Sequence, residues 1–185
     1  MMDLYSSGRK AGSLVILVMV FILTGCASAT KSVGMMAQSS PSEKFDTIEG
    51  SVAVKIRGGK ETSALGTSQI SNADLKAAIV SSLANTELFS SVVENSAESV
   101  YLLKAAIINL NQPLWGASMT VDIDIAWTLA KIRVETPLIR EVHSSTYTAP
   151  MGAAFAGVKR LRIATEGAVR ENIDWILKRI SQLDL

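Results

Sequence analysis

One cysteine, one histidine and four prolines in 185 residues exclude several kinds of protein at the outset. A single Cys26 rules out a disulfide framework, although an oxidising compartment would permit one. One histidine beside one cysteine does not furnish the ligand set of a zinc site. The glycines Gly58, Gly59 and Gly66 fit neither a phosphate-binding loop nor a dinucleotide fingerprint. Excess charge is missing too: 18 basic residues face 17 acidic ones, and 16 of each remain once residues 1–25 are set aside. A chain so balanced is not built to track a polyanion, so nucleic acid is not an expected partner. Long apolar runs are equally scarce. Only Leu14 to Leu23 is uninterrupted, and its 10 residues fall short of the roughly 20 that cross a bilayer.

That run follows Arg9 and Lys10 and ends in Leu23-Thr24-Gly25-Cys26. A positive start, a short apolar segment and small residues before a cleavage point make residues 1–25 a signal peptide. Leu23 to Cys26 resembles the lipobox of bacterial lipoproteins, in which the cysteine is acylated and becomes the first residue of the mature chain. An ordinary secretory peptide cut near Ala27 to Ala29 is the alternative. Acylation with more than one chain gives stable anchoring, at roughly 0.8 kcal/mol per buried methylene. The resemblance, with Ala27 after the cysteine, implies the periplasmic face of the outer membrane. Residues 26–44 are small, polar and unpatterned around Pro41, and read as the lipidated cysteine and a flexible tether. Residues 45–185 form a single periplasmic domain, long enough to bury a core without covalent staples.

Within that domain Val52, Val54 and Ile56 alternate with Ala53, Lys55 and Arg57, which predicts a strand ended by Gly58 and Gly59. Ser71 and Asp74 form a capping box, with Ile70 placed to staple onto Leu75, and the helix then runs to about Thr86. Phe89, Val92 and Val93 turn the chain back towards the core. Val100 to Leu110 is apolar almost throughout, as a central strand is. Met119 to Leu129 alternates cleanly, with Asp122 and Asp124 on the wet face, and Leu138 to Thr148 is a more polar edge strand. Val158 to about Gln182 spaces its apolar residues by three and four, a helix of about 37 Å. The expected fold is α+β: a two-layer sandwich of four mostly antiparallel strands with two helices on one face, in the order β-α-β-β-β-α.

Lipobox, tether and this element order resemble small outer-membrane lipoproteins of Gram-negative bacteria, of the YajG-like type. The topology is also similar to that of the accessory lipoprotein of lipopolysaccharide assembly. The likeness spans about Phe45 to Leu183 and is carried by Gly58 to Ile79 and Gly152 to Ile173. Chains of this appearance are also similar to ones called UDP-N-acetylglucosamine acyltransferase. The enzyme of that name is built on hexapeptide repeats, and none is present here. The resemblance supplies no catalytic motif.

Little in the sequence points to catalysis. The single His143 lies in HSSTY, where an acyltransfer HxxxD motif would need aspartate at Tyr147. Ser144 points to the opposite face and no acid is placed locally to orient the ring. Asp122 and Asp124 share a face and form either paired carboxylates, a weak calcium site, or simply the wet side of a strand. Two features stand out as a partner or ligand surface. Lys159, Arg160 and Arg162 crowd the start of the last helix, against its macrodipole, as they would if contacting an anion. Trp115, Met151 and Phe155 sit in short loops bounded by glycine and proline, where they either mark a binding surface or cap the open end of the sandwich. The expected role is a non-enzymatic accessory or adapter of envelope biogenesis, without cofactor or metal. It would be anchored to the membrane and bind an envelope protein, lipid or glycan. The second reading is a lipid or amphiphile binder with its ligand between helices and sheet, lined by Ala77, Ala78, Ala105 and Ala106. The third is an envelope acyltransferase.

Overall fold

A computed structural model describes residues 28–38, 45–62, 67–134 and 136–184. Cys26 and the signal segment lie outside the described residues. The elements are α1 (Ser32–Met35), β1 (Ile48–Arg57), α2 (Asn72–Thr86), β2 (Phe89–Val93), β3 (Tyr101–Asn111), β4 (Met119–Lys131), β5 (Ile139–Ala149) and α3 (Gly157–Ser181). A short 3-10 turn, Met151–Ala153, precedes α3.

The sheet has five strands in the order β2-β1-β3-β4-β5, not four. It is mixed: β1 lies parallel to both β2 and β3, while β3, β4 and β5 pair antiparallel. The unforeseen strand is β2, whose Phe-Ser-Ser-Val-Val has no alternation to reveal it; only Phe89 is buried. A short link between parallel strands is possible here because the registers are staggered. Val93 of β2 ends level with Ala53, and Tyr101 of β3 starts level with Val52, so the chain crosses β1 without travelling back along it. Gly50, at φ 115°, makes room for that crossing: a Cβ there would lie 3.1 Å from the Val100 side chain.

Both long helices cover one face of the sheet, α2 over β1 and β2 and α3 over β4 and β5. Helix α2 starts where its sequence says it should. Ser71 accepts from the Asp74 amide at 3.0 Å, and Ile70 and Leu75 are both buried. Strand β4 sends Met119, Val121, Ile123, Ile125, Trp127 and Leu129 inward without exception. In β3 a bulge at Ile108 turns that residue outward, shifts the side-chain parity and lets Leu110 pack against the core. Beneath α3 lies a satisfied polar cluster. Trp127 Nε1 donates to Asn172 Oδ1 (2.7 Å), and Asn172 Nδ2 donates to the His143 carbonyl and to Ser145 Oγ, both at 2.9 Å. Ser145 Oγ donates in turn to the Ala168 carbonyl. Gly167 lets the helix approach this strand, since a Cβ there would sit 2.4 Å from the Tyr147 ring.

The largest departure from expectation is at the start of the described chain. Residues 28–38, assigned by composition to a flexible tether, are packed onto the body. Helix α1 lies against both long helices, and Met35 is fully buried among them. A polar stretch with one Met-Met pair carries too little periodicity to announce a single buried anchor.

Candidate functional site

Two loops crown one end of the sandwich: residues 112–118 between β3 and β4, and residues 150–156 between β5 and α3. Leu114 and Trp115 are each 86% exposed, Met151 is 70% exposed and Phe155 is wholly exposed. The aromatics do not fold back to cap the core. Val158, on the first turn of α3, adds a fifth partly exposed apolar side chain. An open groove of about 400 Å³ runs between Leu114, Trp115, Met119 and Val158.

The three cations at the start of α3 have separate fates. Arg160 ties the two loops together, donating from Nη1 to the carbonyls of Ala154 (2.8 Å) and Phe155 (2.9 Å) and from Nη2 to that of Gly116 (3.3 Å). Arg162 turns to the first described residues: its Nη1 donates to Ser28 Oγ at 2.9 Å and its Nε lies 3.4 Å from Glu166. Internal carbonyls hold Arg160, and the Ser28 hydroxyl with the Glu166 carboxylate holds Arg162, while the Nε of each is buried without a hydrogen bond among the described residues. Lys159 alone projects into solvent beside the loops.

Glu166 organises the segment that leads to Cys26. Its Oε1 accepts from the Lys31 amide at 2.9 Å. Arg170, one turn along, donates to the Gly34 carbonyl at 2.9 Å. Gly34 fits this closeness: a Cβ there would stand 2.3 Å from Glu166 Oε2 and would displace the carboxylate from its bond to Lys31. Burial pushes the Glu166 carboxyl above its usual range, and the Lys31 amide with the charges of Arg162, Lys31 and Arg170 only partly offsets this. Thr30 donates to the Gln69 carbonyl (2.8 Å) and the Ala37 amide to Ser82 Oγ (2.9 Å), so the segment is held along its length. Sequence reasoning missed this latch. The available signal was that Glu166 falls inside the buried arc of α3, between Ala164 and Ala168.

The segment also meets the crown. Ser68 Oγ donates to the Ser28 carbonyl, and Gln112, at the root of the first loop, donates to the Ser68 carbonyl (2.6 Å) and to Thr165 Oγ1 (2.8 Å).

The candidates for chemistry are dispersed. The His143 ring stacks on Trp175, 4.1 Å between centroids and 3° from parallel, and burial lowers its pKa. Ser144, on the opposite face, donates to Asp124, while Ser145 is engaged by Ala168 and Asn172. Asp122 and Asp124 accept from Thr146, Asn111 and Asn109 in a cross-strand ladder. Among the described residues no three metal-ligating side chains cluster. Nor is any helix among them long and apolar enough to cross a membrane. Of the alanines proposed to line an interior cavity, Ala78 and Ala105 are packed in the core and Ala77 faces solvent. Ala106 borders a groove on the opposite face of the sheet, which no helix among the described residues covers.

That uncovered face is the second candidate surface, and sequence reading did not single it out. Its groove, about 610 Å³, has Ala106, Ala126 and Ala130 as floor and Lys55, Lys104 and Arg140 around it. Alternation along β1, β3, β4 and β5 puts these cations on one side because the other side is core.

No family model matches the chain, and no relative of it was found among curated proteins. Its fold recurs in solved structures. A protein of family DUF330 from Xanthomonas campestris superposes with a TM-score of 0.58 at 11% identity, over 81% of this chain and 91% of the other. A hypothetical protein from Chlamydia trachomatis gives 0.50 at 10% identity, over 72% and 98%. A minor lipoprotein from Acinetobacter baumannii gives 0.45 at 7% identity, over 71% and 91%.

Proposed function

We propose that this chain is a lipoprotein anchored through Cys26 at the periplasmic face of the outer membrane, acting there as a non-enzymatic adapter. The anchor rests on Arg9, Lys10, the apolar run and Leu23-Thr24-Gly25-Cys26. The adapter role is supported above all by the uncovered sheet face. A broad, shallow surface with Lys55, Arg57, Lys104 and Arg140 over an alanine floor suits an acidic envelope partner better than it suits a small substrate. Small side chains allow close approach, and the cations supply attraction that steers encounter.

The adapter reading is tested by in-cell crosslinking of the full, tagged chain from photoreactive groups at Lys104 and Val142 on the open face. Capture of one envelope protein from both positions, weakened by Lys55→Glu and Arg140→Glu, is the expected result. Products from neither position in cells that carry the acylated chain would refute it. The amphiphile-binding alternative has less support, since the space between helices and sheet is filled by side chains such as Met35, Leu83 and Trp127.

A further inference from the structure

The anchoring segment and the exposed loops converge on one end of the molecule. We infer that this crown is a lipid-contact surface: Leu114, Trp115, Phe155 and Val158 enter the headgroup boundary of the membrane that holds the acyl chains. The inference rests on the acylation of Cys26 proposed above.

Chain length supplies the first argument. Cys26 precedes Ser28 by two residues, and two peptide units reach at most about 7 Å. Ser28 is itself fixed to the body through Ser68 and Arg162. A lipid on Cys26 therefore brings the surface around Ser28 to the membrane, in contrast to a domain on a long free tether. Geometry supplies the second. Arg162, which holds Ser28, lies one turn from Val158 on the same face of α3. Gln112, which grips Ser68, lies three residues from Trp115, a span of at most about 11 Å. Ser28, two residues after Cys26, is thus linked to the first exposed loop through Ser68 and Gln112.

Chemistry supplies the third. Leu114, Trp115 and Phe155 sit on two loops that Arg160 clamps to each other, and Val158 stands beside them on the first turn of α3, so the four form a preset cluster. Trp is suited to a boundary between headgroups and acyl chains, where its ring is buried and its N–H stays wet. Lys159 stands beside them and is placed to meet lipid phosphates. With the crown seated in lipid, the open sheet face remains free for a protein partner.

The test uses the full acylated chain reconstituted in vesicles of phosphatidylethanolamine and phosphatidylglycerol, some lipids brominated near the headgroup end of their acyl chains. Trp127 is buried, and Trp175, partly exposed and stacked on His143, lies 17 residues along α3 from Val158, about 25 Å, so a quencher at the crown should reach Trp115. The expected result is quenching that disappears in Trp115→Phe and weakens in the double variant Leu114→Ser, Phe155→Ser, with unchanged circular dichroism. Chains that float with the vesicles but show no quenching, or the same quenching in Trp115→Phe, would overturn the lipid seat and leave the anchor intact. Trp115 crosslinked to a protein in cells would assign the crown to that partner and likewise overturn it. Failure to float would refute the acyl anchor itself, and the lipid seat with it.

Discussion

Trp127 and Trp115 sit 12 residues apart and live in opposite worlds. Trp127 is fully buried, its N–H satisfied by Asn172, at the centre of the face that α3 covers. Trp115 stands 86% exposed on a clamped loop at the end of the same sheet. One aromatic packs the core and the other makes little contact with it. The contrast teaches that the exposed apolar residues of the crown sit on loops placed by specific bonds, those of Arg160 and Gln112.

The sharpest way to break the contrast is Trp127→Ala, which opens a cavity and strands Asn172 Oδ1. Thermal or denaturant unfolding should show a loss of about 3–5 kcal/mol. Met35→Ala should cost nearly as much, about 2–5 kcal/mol, because Met35 is a core residue; a residue in a free tether would cost nothing. Gly167→Ala pushes α3 away from Tyr147 and should lose about 1–3 kcal/mol by the same assay.

Glu166→Gln is predicted to act mainly through pH. Burial raises the folded carboxyl above its unfolded value, so the folded state binds its proton more tightly. The resulting stability is present below the unfolded pKa and is lost as pH rises through the raised folded one. The Gln variant should lose that slope, and its stability relative to wild type should improve as pH is raised through this window. His143 has the opposite sign. Its lowered pKa means that stability falls as pH drops below the unfolded imidazole value of about 6.5, and His143→Phe, which keeps a ring against Trp175, should flatten that fall. At the far end of the scale, Trp115→Ser should change stability by no more than about 0.5 kcal/mol.

Much of this architecture was legible from the amino acids. The alternation of β4, the capping box of α2 and the three-four spacing of α3 each describe one element facing one core, and each element is present within a residue or two of its expected ends. What stayed hidden depends on partners distant in sequence. The Phe89–Val93 strand exists because β1 offers a parallel edge, with only one buried residue of its own to declare it. The docking of residues 28–38 depends on Glu166 and Arg170, more than 130 residues away, and no local pattern encodes it. At the candidate surface, Trp115, Met151 and Phe155 were recognisable as loop residues, but whether they stood exposed or capped the sandwich was not legible, because that depends on how Arg160 ties the two loops. Arg160 and Arg162 were recognisable as misplaced against the helix dipole, but their carbonyl and Ser28 partners were not.

Both the fixed mounting and the lipid-facing crown require that the segment after Cys26 belong to the fold. Amide hydrogen exchange on the full acylated chain in vesicles tests this directly at Lys31, Met36 and Ala37, whose N–H groups donate to Glu166, Ser32 and Ser82. A docked segment predicts exchange slowed at least about 100-fold relative to unstructured chain, and faster again in Met35→Ala. Exchange at unstructured rates in the wild-type chain would mean a free tether, and would contradict both the fixed mounting and the lipid-facing crown.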